Sequence, residues 1–149
     1  MSDRSPAPKP RSLRLIFEYV GDDVRLVMQQ PVDLAATVAS PARQTGFFVD
    51  THDASGRTLA RVAAHGAFQD SVEVFPEQHG EPITRLQLDR PRGAFTIIVP
   101  AAQETDHVRL VQVTAPPGDA TQPATRSRMQ PQSAMQEREI ARFPIQTGR

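Results

Sequence analysis

The stretch that decides the fold is SLRLIFEYVGDDVRLVM, residues 12–28, in which large apolar and polar side chains alternate on either side of a short polar break. Every second residue is apolar from Leu13 to Tyr19, and the same period returns from Val24 to Met28. A period of two places alternate side chains on opposite faces of a β-strand. The Gly-Asp-Asp break at residues 21–23 has the composition of a tight turn. The stretch therefore predicts an antiparallel hairpin with one apolar face.

Similar short runs continue along the chain to about residue 114. They lie at residues 47–51, 59–62, 72–74, 86–88, 95–99 and 108–113, with Gly, Pro, Asp and Ser between them. In the last run the apolar phase changes between Leu110 and Val111, which predicts a β-bulge. No helical period intervenes. About 7–8 short strands with turn signals between them predict an all-β, antiparallel β-sandwich.

In strand number, hairpins and alternation, residues 12–114 resemble the immunoglobulin-like and fibronectin-type-III-like domains that are common in bacterial proteins. The chain has no cysteine and no tryptophan, so it lacks the core disulfide and core tryptophan of true immunoglobulin domains. The resemblance implies an immunoglobulin-like sandwich. It implies no particular activity, because one fold carries many functions.

Segments rich in proline and in polar residues divide the chain into three parts. The composition predicts a disordered head at residues 1–11, a β-sandwich domain at 12–114 and a disordered Pro/Gln-rich tail at 115–149. Within the tail, Ser133 and Gln136 fit a capping box, so residues 133–145 are predicted to form a short helix that docks on a surface. The alternative is a β-strand, with Ala141, Phe143 and Ile145 added to a sheet edge.

Charge and hydropathy argue against several classes of partner. The chain has 17 basic and 17 acidic residues, and this balance favours neither nucleic acid nor an anionic membrane. Residues 1–14 contain no apolar export segment, and no apolar run is long enough to span a bilayer. We therefore expect a soluble, cytoplasmic protein.

Catalytic and metal-binding motifs are scarce in the sequence. The chain has no cysteine, no nucleophile elbow and no phosphate-binding glycine loop, so no catalytic residue and no cofactor is predicted. Asp50, His52 and Asp53 are weak metal candidates, because Asp50 and His52 share one face of a predicted strand beside a turn. Asp106 is a further loop-end carboxylate.

The strongest functional signal is a set of apolar residues on faces that are otherwise polar, at Ile16, Val27, Phe48 and Ile98. Exposed apolar patches mark interaction surfaces. We therefore predict a non-enzymatic protein–protein interaction or assembly module, whose tail docks on its own sandwich or on a partner. The alternatives are a small metal-dependent binder or enzyme that uses loop-end Asp and His residues, and a structural spacer. The predicted contact residues are Ile140, Phe143 and Ile145 in the tail, with Phe48 and Ile98 as receivers.

Overall fold

A computed structural model describes residues 11–39, 44–69, 71–115 and 135–146, and the predicted head and tail lie largely outside these ranges. None of these ranges contains a helix with the length and hydropathy needed to cross a membrane. The described residues form nine β-strands and no helix. The strands are β1 (Ser12–Val20), β2 (Asp23–Val32), β3 (Gly46–His52), β4 (Thr58–Ala63), β5 (Ser71–Val74), β6 (Thr84–Gln87), β7 (Arg92–Pro100), β8 (His107–Thr114) and β9 (Gln136–Pro144).

The strands form three antiparallel sheets, which confirms the predicted all-β class. Sheet A has the order β2-β1-β7 and sheet B the order β4-β3-β8-β9, while β5 and β6 pair only with each other. Inward-facing residues of sheets A and B belong to one buried cluster. Two sheets that face each other across a shared core have the arrangement of a β-sandwich.

The core is organised around the alternating residues of β1. Leu15 and Phe17 are fully buried. They belong to the same core cluster as Val49 and Leu110 of sheet B. The Phe17 ring stacks on Phe95 of β7 at 5.1 Å between ring centroids, and lies 5.5 Å from the ring of Phe143 in β9. Phe17 therefore ties the two sheets together.

The two turns predicted beside β1 and β3 are both present. Gly21, between β1 and β2, has a φ of 59°, which a glycine adopts without steric cost, and its N–H donates to the carbonyl of Pro91 at 2.6 Å. Between β3 and β4, the Asp53 carboxylate accepts hydrogen bonds from the backbone N–H groups of Ser55 and Arg57. Such side-chain bonds to the following backbone stabilise a turn.

The prediction of a short helix within residues 133–145 is wrong for residues 135–145, the part of that range that the structure describes. Gln136–Pro144 form β9, which pairs with β8 along its length, as the alternative strand interpretation had it. A helix of so few turns is marginal in isolation, whereas the free edge of β8 offers a full ladder of backbone hydrogen bonds. The register shifts between Leu110 and Val111, where a bulge was predicted, but the extra residue is Ile140 in β9.

Candidate functional site

The hairpin of β5 and β6 forms a two-stranded sheet of its own. We call residues 71–87, which are these two strands and their connecting loop, the arm. Neither strand packs against any other strand that the structure describes. Two-stranded hairpins are only marginally stable by themselves in water. Within the described residues, this hairpin therefore has no sheet to pack on.

The arm exposes four large apolar side chains. Val74 and Leu86 lie on the same face of the paired strands, while Glu73 and Arg85 form an exposed ion pair on the opposite face. Phe75 and Ile83 lie directly beyond the paired ends. The exposed fractions are 47% for Val74, 69% for Phe75, 57% for Ile83 and 57% for Leu86. Such a concentration of exposed apolar side chains is typical of a protein contact surface.

The three tail residues predicted to bind a partner are engaged within the chain. Ile140 and Phe143 pack, half-buried, against the main core, and Ile145 is itself buried in it. The N–H of Ile145 donates to the carbonyl of Asp106 at 2.9 Å, which fixes the end of the segment. In this structure the tail segment docks on its own sandwich.

The two predicted receivers lie on different sheets, so the structure does not bring them together. Phe48, on the outer face of sheet B, is only 3% exposed and packs with Val111 and Val113. The Arg61 guanidinium lies over its ring, 5.3 Å from the centroid. Ile98 is half-buried in sheet A, where it is paired with Arg14 of β1.

The other two apolar residues that the sequence places on polar faces, Ile16 and Val27, lie in sheet A. Ile16 is directly opposite Met28 in the β1–β2 ladder. Val27 is the extra residue where that ladder shifts register, and both Val27 and Met28 are about half exposed. Two large apolar side chains are thus exposed at this register shift, compared with four in the arm.

A buried ion pair crosses the outer face of sheet B. The Asp50 carboxylate is inaccessible to solvent, and it accepts two hydrogen bonds from Arg61, from Nε and from Nη2, each 2.7 Å long. Arg61 Nη2 also donates to Glu137 at 2.6 Å. The hydrogen bonds to Asp50 raise the pKa of Arg61 above its ordinary value. One guanidinium therefore joins β3, β4 and β9.

The weak metal candidates of the sequence do not assemble into a site. Asp50 and His52 share the outer face of β3, as expected, but both Asp50 oxygens are occupied by Arg61. The Asp53 carboxylate caps its turn, and the hydrogen bond from the Ser55 hydroxyl is the main reason that the pKa of Asp53 is lowered. Across the described ranges, no group of three or more potential ligands is arranged around a metal position.

The topology nevertheless brings together two histidines that the sequence analysis left apart. His52 of β3 is directly opposite His107 of β8. The rings stack in parallel, with 5.1 Å between centroids and 5° between planes. His52 Nδ1 is 3.0 Å from the carbonyl of Gly56, and His107 Nδ1 is 2.8 Å from an Asp106 carboxylate oxygen. Only the β3–β8 register could have revealed this pair.

A cleft of about 580 Å³ opens near the β1–β2 turn. Phe47, Phe68 and Ile140 form an apolar part of its lining, and the ion pair of Arg90 and Asp23 lies at it. Phe68 has a φ of 57°, a costly conformation for a bulky side chain. Its ring contacts Phe47 at 4.7 Å between centroids, so aromatic packing offsets this strain. Acidic and basic residues are mixed in the lining, and this mixture favours no single class of ligand.

Comparisons with other proteins found no relative of this chain. No protein-family model matches the sequence, and neither a curated protein nor a solved structure is significantly similar to it. The surfaces of the chain itself are therefore the guide to its function. Among these surfaces, the arm carries the most exposed large apolar side chains, and its two strands contact no other strand that the structure describes.

Proposed function

We propose that this chain is a non-enzymatic protein–protein interaction module and that the arm is its contact surface. The observation that carries the proposal is that β5 and β6 contact no other described strand, while the arm exposes Val74, Phe75, Ile83 and Leu86. In this proposal β9 completes the sandwich, and the sandwich is an immunoglobulin-like scaffold that presents the arm.

The apolar area is sufficient for a reversible contact. Full burial of a large apolar side chain contributes about 1.5–3 kcal/mol, so the four side chains contribute at most about 6–12 kcal/mol. Association costs an estimated 4–15 kcal/mol in lost translational and rotational freedom. The open edges of β5 and β6 add backbone hydrogen bonds when a partner strand pairs with them. This balance favours moderate, exchangeable binding.

The charges of the arm indicate the character of the partner. Glu73, Glu77 and Glu81 outnumber the single basic residue Arg85 within residues 71–87. Complementary charges at the rim of an interface accelerate association and exclude wrong partners. The proposed partner surface is therefore an apolar groove or sheet edge with basic residues at its rim.

Substitutions on the arm test this function. A photo-reactive residue at position 86 is expected to form a covalent adduct with one defined protein in native cells. Phe75→Asp together with Ile83→Asp is expected to reduce the adduct at least about tenfold, because charges then enter the apolar contact. Adduct yield, measured by gel electrophoresis and mass spectrometry, checks this expectation.

The control is Val38→Asp, which introduces one such charge at an apolar side chain that is 51% exposed and lies outside the arm. It is expected to leave the adduct unchanged. A spacer function predicts no defined adduct from position 86. An adduct that survives the double substitution would also contradict the proposal.

A further inference from the structure

The outer face of sheet A carries a row of apolar side chains. Side chains alternate along β1, so Ile16 and Val20 point away from the core. Ile16 lies directly opposite Met28 of β2, with Val27 inserted beside it. Ile98 of β7 lies one pair further along the same face. Because about half of each side chain is exposed at Val20, Val27 and Met28, this face is a second apolar surface, separate from the arm.

The charges on this face leave a basic excess. Its two carboxylates, Glu18 and Asp23, are each paired with an arginine. Arg14 and Arg92 lie on the same face, and among the described residues neither forms an ion pair. Arg92 is six residues from Ile98, the ladder partner of Arg14, a separation of roughly 20 Å at about 3.3 Å per residue. Apolar side chains therefore lie between two positive charges.

The arm has the complementary composition. Glu73 is paired with Arg85, whereas Glu77 and Glu81 form no ion pair with any residue that the structure describes. Both lie in the loop that joins β5 to β6, and exposed apolar side chains lie next to the ends of these strands. The arm is therefore apolar with a negative excess, and the face of sheet A is apolar with a positive excess. Such complementary charges favour association and fix its orientation.

The two strands of the arm do not lie on this face of their own chain, because β5 and β6 contact no other described strand. We propose that the outer face of sheet A receives the arm of a second copy of this chain. The inference rests on the proposed function of the arm and names its partner. The arm and the face are different surfaces, and each copy has one of each. Association is therefore head to tail, and it continues into a ring or a filament.

Two variants that each disable one of the two surfaces test this assembly. The arm variant is Phe75→Asp/Ile83→Asp. The face variant is Val27→Glu/Met28→Glu, at two exposed side chains of sheet A. In analytical ultracentrifugation, the mass of the wild-type chain is expected to rise with concentration, while each variant alone stays monomeric. An equimolar mixture is expected to form a heterodimer that grows no further, because only one intact arm and one intact face remain in it.

A charge reversal checks the electrostatic part and leaves the apolar side chains in place. Arg92→Glu is expected to weaken self-association at least about tenfold, because it brings a carboxylate to the negative arm. The matched control is Arg57→Glu, which reverses an exposed arginine in the turn between β3 and β4 of sheet B. It is expected to associate as the wild-type chain does. Each variant is expected to keep the native circular dichroism spectrum.

The proposal is overturned if the wild-type chain is monomeric at every concentration, or if Arg57→Glu weakens association as much as Arg92→Glu does. It is also overturned if the two variants do not associate when mixed, since contact between two arms would not be restored by mixing. A monomeric chain whose position 86 still forms an adduct with a different protein would overturn this inference and leave the proposed function of the arm intact.

Discussion

Replacing Arg61 with leucine is expected to lower the free energy of unfolding by about 3–5 kcal/mol, because Asp50 then remains as a buried charge without its partner. The variant also loses the bond to Glu137 and the cover over Phe48. Urea denaturation followed by circular dichroism measures the change. Few single substitutions on the surface of this protein are expected to cost as much.

Arg57 provides the matched control, because it forms an exposed ion pair with Asp53 near the other end of β4. Arg57→Leu is expected to change the free energy of unfolding by less than about 1 kcal/mol. The double variant Asp50→Leu/Arg61→Leu is expected to regain part of the loss, since no buried charge remains. Equal costs for Arg57→Leu and Arg61→Leu would show that the Asp50 pair is not the cause.

Ending the chain at residue 134 is expected to leave it largely unfolded. The truncation removes β9 with the half-buried side chains of Ile140 and Phe143, and the buried Ile145. Together they contribute at most roughly 5–9 kcal/mol, since full burial of each is worth about 1.5–3 kcal/mol. Small domains have only about 5–15 kcal/mol of stability in total. Loss of the cooperative thermal transition measures this outcome.

A peptide of residues 135–146, added to the truncated chain, is expected to restore the transition by pairing with the free edge of β8. The control peptide carries Phe143→Asp and is expected to fail, because Phe143 packs against Phe17. If the truncated chain unfolds as cooperatively as the full chain, β9 is not part of the sandwich core.

Alternation predicted the sandwich strands well where one face is buried and the other is wet. β8 is different, because Val108 and Leu110 face the main core while Val111 and Val113 are buried on the other face. The apolar phase of β8 changes between Leu110 and Val111 because both faces of this strand are buried. The extra residue of the bulge is Ile140, in the neighbouring strand β9. A pattern within one strand cannot show on which strand of a pair a bulge lies.

The prediction for the tail failed for a related reason. The extra residue Ile140 breaks the period of two in β9, so Met135, Ile140 and Phe143 mimic the arc of a helix. The free edge of β8, which decides the outcome, is a property of the sheet and not of the tail sequence. Likewise, Phe48 interrupts a polar face because Arg61, from another strand, covers it.

The arm and the histidine pair were hidden by topology. The sequences around Val74 and Leu86 alternate between apolar and polar residues, as those of the sandwich strands do. Nothing in that alternation shows that β5 and β6 pair only with each other. His52 and His107 become neighbours only through the β3–β8 register. Period-two patterns identify strands and their faces, but they do not specify which strands become neighbours.

Hydrogen exchange of the backbone amides tests most directly whether the arm is a contact surface that the other described strands do not support. In the isolated protein, we predict that the amides of β5 and β6 exchange far faster than those of β1 and β8. Adding the partner captured from position 86 is predicted to slow exchange in the arm selectively. The account is contradicted if the arm of the isolated chain is as protected as β1, or if the partner slows exchange elsewhere and leaves the arm unchanged.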